Sequence, residues 1–182
     1  MPTIRRVAWS DFEAITEIYF SLYEEVQANP DLGITLFASR PPAGEEAEWF
    51  GRLHHRILDG NSIAVVAEEE GRAVGLCTVD RRGPATELGH IGILGIMVAE
   101  KFRGRGLGRA LLNQAIAQSA GKFELIELAV FASNTHARAL YRSVGFRPWG
   151  MLPRGVRRNG RYTDLEYMVI DIDAAPAASP PG

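Results

Sequence analysis

The chain has one cysteine in 182 residues. That excludes an intrachain disulfide framework and makes a reducing cytoplasm the expected setting. It has no excess of positive charge: the net charge is −2 and the isoelectric point about 6.1, which argues against nucleic acid as principal partner. No apolar run reaches membrane-spanning length, and the opening MPTIRRVAWSDF has no signal-peptide core, so no membrane association is expected. No internal repeat and no second domain are visible. The 46% apolar content is ordinary for one domain with a sizeable core, expected over residues 1–173. Ala174–Gly182, AAPAASPPG, is small and proline-rich, and reads as a disordered tail.

Local patterns supply the elements. Thr3–Ala8 reads as a first strand. Ser10-Asp11 offers an N-cap, followed by Phe12, Ile15, Ile18, Tyr19, Leu22 and Val26 at helical spacing. Asn29–Gly44 is a loop by its prolines and glycines, and Glu45–Leu58 a second helix. Ser62–Glu69 and Arg72–Asp80 form a hairpin about Glu70-Gly71, and Glu87–Val98 a long strand. Leu107–Ala120 is helical, Leu125–Phe131 a strand and His136–Val144 a helix. Arg147–Arg157 and Arg161–Ile172 flank Asn159-Gly160, a strong hairpin signal. The order β-α-α-β-β-β-α-β-α-β-β predicts an α/β (mixed α+β) fold: a mostly antiparallel sheet of about seven strands with helices on both faces.

The most informative stretch is IGILGIMVAEKFRGRGLGR, from Ile91 to Arg109. An apolar strand ending at Val98 leads to a turn with Gly104, Gly106 and Gly108, and then to a helix. Free backbone N–H groups and the positive end of a helix dipole converge there, which suits phosphate. Lys101, Arg103, Arg105 and Arg109 add cations suited to a ligand with several phosphates. A dinucleotide site fits poorly, although Glu124 or Glu127 stands about where a ribose-binding acid would. The spacing is GxGxG rather than GxGxxG, and the gap from Val98 to Arg103 is longer than a tight Rossmann turn.

Arg103-x-x-Gly106-x-Gly108 resembles the coenzyme A pyrophosphate loop of the GNAT superfamily of N-acetyltransferases, a pattern of Gln or Arg, two residues, Gly, one residue, Gly or Ala. NTHARALYRSVGF, from Asn134, is similar to the family's Asn…helix…Tyr…Gly-Phe element, with Asn134, Tyr141, Gly145 and Phe146 in matching places. The resemblance covers roughly residues 60–150. It implies a GNAT-type sheet and acetyl-CoA as cosubstrate, with no metal. The acetyl group would pass to a primary amine by direct attack in a ternary complex. The amine is expected to belong to a small molecule, with a protein or peptide amine as the alternative, and a homodimer is possible in such folds.

Several residue roles follow from the resemblance. The backbone of Ile96, Met97 and Val98 would pair with the pantetheine arm, with the Val98 N–H polarising the acetyl carbonyl. Arg103, Gly104, Arg105, Gly106, Leu107, Gly108 and Arg109 would hold the phosphates. Asn134 and Arg138 would also meet the cofactor, and Tyr141 would be the general acid that protonates the thiolate. A phenol suits that task because its pKa of about 10 lies closer to a thiol's than a carboxylate's does. Tyr23, Glu24, Tyr162 and Asp164 are the substrate-side candidates; Tyr19, Trp49 and Phe50 also fall on the two helices expected to wall the acceptor.

The general base departs from the family pattern. Members with a base carry Glu or His nine to eleven residues before the loop arginine, and here that window is Gly92, Ile93 and Leu94. The nearest ionisable groups expected on the strand are His90 and Glu87, either of which would act through water, unless the amine arrives already neutral and needs no base. The apolar window also keeps open a coenzyme A-binding domain without catalysis, against which Tyr141 stands. Cys77, inside AVGLCTV, reads as a small buried apolar residue and not a nucleophile. His54-His55 point in different directions on a helix and make no metal site.

Overall fold

The computed structural model describes residues 2–29, 32–33, 40–83 and 86–172. Much of the expected loop Asn29–Gly44, and all of the expected tail over 174–182, lie outside these residues.

Alternation along two strands decides the layering. Ile63, Val65 and Ala67 of β2 (Ser62–Glu69) join Cys77 and Val79 of β3 (Arg72–Arg81) in one core. That core is closed by Leu111, Leu112 and Ala115 of α3 (Leu107–Ser119). Ala64, Val66 and Leu76 point to the other face. There they pack with Ile15 of α1 (Phe12–Ala28) and with Phe50 and Leu53 of α2 (Ala43–Leu58). A period of two divides neighbouring residues between two apolar layers, so both sheet faces are covered. The period slips once: a bulge opposite Ala67 and Glu68 sends Ala73 to the α1/α2 core and Val74 to the α3 core.

With β1 (Thr3–Arg6), β4 (Ile91–Val98), β5 (Leu125–Phe131), β6 (Arg147–Arg158) and β7 (Arg161–Asp171), the sheet has seven strands. Their spatial order is β1-β2-β3-β4-β5-β7-β6. Only β4 and β5 run parallel. This is the mixed, mostly antiparallel sheet that the sequence predicts. Asn159 (φ 49°) and Gly160 (φ 76°) are both left-handed, as a two-residue hairpin turn requires. Among the described residues no helix is long and apolar enough to cross a membrane.

The parallel pair creates the site. β4 and β5 pair only over Ile91–Ile93 and Leu125–Glu127. Beyond that, β4 follows β3 to Val98 while β5 follows β7 to Phe131, and the two strands separate into a wedge.

One expectation is corrected. The long strand starts at Ile91, not Glu87: Thr86–Leu88 is a 3₁₀ turn and His90 lies in the turn that follows. β3 ends at Arg81 opposite Gly92, and β5 begins at Leu125 opposite Ile91, so residues 87–90 have no neighbouring strand. The Gly89 N–H donates to the Thr86 carbonyl at 3.2 Å, closing a turn, and only the His90 carbonyl reaches β5, accepting from the Glu124 and Leu125 N–H groups at 2.8 and 3.3 Å.

Candidate active site

The loop expected to hold phosphate turns at Gly106. It caps α3 at φ +81°, a left-handed conformation that costs other residues about 1–2 kcal/mol. A Cβ there would meet open space, so the conformation, not crowding, selects glycine. The first helical bond of α3 runs from the Ala110 N–H to the Gly106 carbonyl. The N–H groups of Gly104 through Arg109 find no acceptor among the described residues. Uncompensated donors at a helix start make an anion site.

These donors open into a cleft of about 1300 Å³ that runs through the β4–β5 wedge. Ile96, Met97 and Val98 line it, as do Arg103, Gly104, Gly106, Leu107, Gly108, Arg109, Asn134 and Tyr141. The Ala99 N–H bonds to the Val74 carbonyl at 3.0 Å, on the β3 side. Alternation along an extended chain therefore turns the Val98 N–H the other way, into the wedge. Val98 also presents its carbonyl there, where it accepts from Arg103 Nε at 2.9 Å.

Asn134 caps α4 (Thr135–Ser143) by accepting from the Ala137 N–H at 3.0 Å. Gly33 lies against it so closely that a Cβ would come within 2.7 Å of Asn134 Cβ. Tyr141 is 9% exposed, in the core that includes Cys77, and meets Phe146 edge-on at 5.9 Å between ring centroids. Burial pushes its phenol above the ordinary value, with a smaller contribution from Cys77. The group keeps its proton at neutral pH. Cys77 is fully buried, and burial raises its thiol well above the ordinary value, so it is no thiolate nucleophile.

Other expected residues sit elsewhere. Arg138 does not line the cleft: Nε and Nη2 donate to Glu166 at 2.7 and 3.1 Å, and Nη1 to the Ala132 carbonyl at 3.0 Å. It anchors α4 to β7. Arg105 is held bidentately by Glu69 at 3.0 and 2.5 Å. Of the loop arginines, Arg109 alone lines the cleft without a carboxylate partner among the described residues. Glu24 is exposed, and it is Glu25 that meets the loop, through Arg103. Tyr23 stands behind Tyr19, their hydroxyls 3.4 Å apart, and only Tyr19 lines the cleft. Trp49 lines it too, whereas Phe50 is buried in the α1/α2 core. Tyr162 lies under the Arg154 guanidinium at 4.0 Å. Asp164 accepts from the Arg154 N–H at 2.7 Å, which stabilises a bulge where Arg154 has φ 58°. His90 and Glu87, at the closed end of the wedge, do not reach the cleft.

Sequence reasoning placed Trp49 and Phe50 of α2 at the acceptor wall and missed the polar residues of that helix. Glu45, Glu46, Glu48 and Arg52 line the cleft, with His136 from α4 and Thr78 from β3. Glu46 is 7% exposed. The only signal for it was the polar face of a helix, which solvated glutamates share.

A parallel strand pair that splays beside a glycine-capped helix start, with a buried phenol across the gap, is the arrangement that the GNAT resemblance of the sequence implies. The model of the acetyltransferase (GNAT) family matches residues 15–146. The L-amino acid N-acetyltransferase AaaT of Escherichia coli is 30% identical over 168 residues, covering 91% of this chain and 94% of that protein. The ribosomal-protein-alanine N-acetyltransferase of Brucella melitensis superposes with a TM-score of 0.79 at 29% identity, covering 93% of this chain and 99% of that one. A phosphinothricin acetyltransferase from Sinorhizobium meliloti, solved in complex with acetyl-CoA, superposes with a TM-score of 0.80 at 24% identity, covering 99% and 93%. The chain belongs to the GNAT family of acetyltransferases, and it is an enzyme of that class.

Proposed function

We propose that the protein transfers the acetyl group of acetyl-CoA to the primary amine of a small molecule, an amino acid in the first instance. The observation that carries this is the run of unpaired N–H groups from Gly104 to Arg109 beside the open edge of β4. Those N–H groups and Arg109 would take the pyrophosphate, and the free edge at Ile96 and Val98 would pair with the pantetheine amides. The Val98 N–H would then donate to the acetyl oxygen, where negative charge develops during attack. The amine nitrogen attacks the thioester carbon, the C–N bond forms and the C–S bond breaks. Tyr141 gives its proton to the departing thiolate.

Two observations support an amino acid. AaaT, whose name gives L-amino acids as acceptors, covers nearly the whole chain. The α2 wall also offers both signs of charge, with Glu46 toward an ammonium and Arg52 toward a carboxylate. The Brucella relative, named for ribosomal-protein alanine, makes a peptide amine the reading to test against.

Calorimetric titration with acetyl-CoA comes first, with Gly106→Trp as the blocked loop. Micromolar affinity in the native chain, lost in the variant, is expected. Free-thiol release is then followed with the common L-amino acids and with a peptide beginning in alanine. Turnover of an amino acid is expected, turnover of the peptide alone would replace the acceptor, and absence of acetyl-CoA binding would overturn the function.

A further inference from the structure

Glu46 is an unusual carboxylate. It is 7% exposed and lines the cleft, yet it accepts no hydrogen bond and pairs with no cation among the described residues. An ionised carboxylate held in that state costs several kcal/mol unless something offsets it. What offsets it is its place in the first turn of α2, at the positive end of that helix, and the open cleft its oxygens reach; its neighbours supply no cation. From α1 it faces the Tyr19 hydroxyl, which is bonded to Tyr23; from its own helix Glu45 adds a second negative charge, with Glu48 and Arg52 further along the cleft wall. Arg52 is turned to Glu48 at 3.5 Å. Burial pushes the Glu46 carboxyl upward, and Glu45 pushes in the same direction. Such a group moves toward neutral pH, where a base for an amine is most effective.

Its place relative to Tyr141 follows from strand register. Leu76 and Thr78 of β3 point to the α1/α2 layer, and their partners across the ladder, Met97 and Gly95, point the same way. Cys77 and its partner Ile96 point to the opposite layer, where Tyr141 packs. The cleft passes between these layers through the wedge. Glu46, on α2, enters it from one face, and Tyr141 from the other. A base at Glu46 and a proton donor at Tyr141 therefore stand on opposite walls of one cleft.

We propose that Glu46 is the general base of this enzyme, receiving the acceptor ammonium and removing its proton. The proposal rests on the N-acetyltransferase function above. The Glu46 carboxylate takes one proton from the ammonium and releases it to solvent. The neutral nitrogen forms the C–N bond, the C–S bond breaks, and the thiolate takes the Tyr141 proton. The second nitrogen proton, acidic once nitrogen carries four bonds, returns to Tyr141 through solvent. The sum is one amide, one thiol and one proton released. This explains how the chain dispenses with a base at Gly92–Leu94: the carboxylate comes from the helix over the strand instead of from the strand itself.

The test is Glu46→Gln, assayed by thiol release from pH 6 to pH 10 with the best amine found. At pH 7, kcat/KM for the amine is expected to fall about 100-fold. Acetyl-CoA affinity by calorimetry should stay close to native, which also shows that the variant folds. The deficit should shrink toward pH 10, where the free amine supplies itself. Glu46→Asp, which keeps the carboxylate, should recover part of the activity at pH 7. Native-like activity of Glu46→Gln, a deficit that does not change with pH, or no recovery in Glu46→Asp each overturns the role. Turnover of no amine by the native protein overturns the function and this role together, whereas native turnover with any of the three failures overturns the role alone.

Discussion

Arg103 holds Glu25 through two bonds, Nη1 to Oε2 at 2.6 Å and Nη2 to Oε1 at 2.9 Å, while its Nε donates to the Val98 carbonyl at 2.9 Å. One guanidinium therefore ties α1 and the end of β4 to the loop whose amides face the cleft. The Glu25 side chain is only 12% exposed, so the pair is better shielded than a surface ion pair.

Glu25→Ala frees Arg103 from α1 and should loosen the loop. We expect stability to fall by about 1 kcal/mol, since the arginine stays half-exposed. That corresponds to roughly 2–4 °C in Tm for a chain of this length. Acetyl-CoA affinity should weaken about fivefold. Thermal melting with and without acetyl-CoA, together with calorimetry, checks both; tighter binding in the variant would mean that Glu25 competes with phosphate for Arg103.

Tyr141→Phe keeps the edge-on contact with Phe146 and removes only the proton donor. Stability should change little, while kcat falls about 100-fold. Because burial raises the phenol, the native enzyme should show no loss of kcat from Tyr141 up to about pH 10. His90→Gln and Glu87→Gln, both at the closed end of the wedge, should leave kcat/KM unchanged across the same range. A large loss in either would contradict their placement.

Arg138→Ala separates a structural arginine from a cofactor ligand. Glu166 is almost fully enclosed, with a side chain 6% exposed, and Arg142 reaches it only at 3.5 Å. Leaving that carboxylate without its main partner should cost about 3 kcal/mol of stability. The hydrogen bond from Arg138 is the main cause that holds the Glu166 carboxyl below its ordinary value. Its contribution is therefore complete at neutral pH and is lost as pH falls through the carboxylate range. The gap between native and variant should narrow on acidification below about pH 4. Urea unfolding at pH 7 and pH 3.5 measures the gap at both ends.

Much of the site was legible because its determinants are local. Gly104, Gly106 and Gly108 needed no distant residue to announce a loop with free amides: those at the start of α3 follow from backbone geometry alone. Asn159-Gly160 announced its hairpin for the same reason. Asn134 was legible as a cap. The apolar window was legible as a sequence but not as a cause: at Gly92 a Cβ would stand 2.4 Å from Val79 Cγ1, so packing on β3 excludes a side chain there whatever the chemistry.

By itself, the sequence determined the order of elements, the seven-stranded sheet and the place of the glycine-rich loop, since hydrophobic period, turn residues and helix starts act over a few neighbours. Only the tertiary structure decided which charges remain available. Arg105, Arg138 and Arg103 look alike in the chain, yet Glu69, Glu166 and Glu25 claim them from 36, 28 and 78 positions away. Glu46 and Glu48 are both glutamates of one helix, and only the packing of α2 over the sheet buries the first. Charge acts through space and is screened or offset by whatever the fold brings near it, and that neighbourhood exists only once distant segments have met.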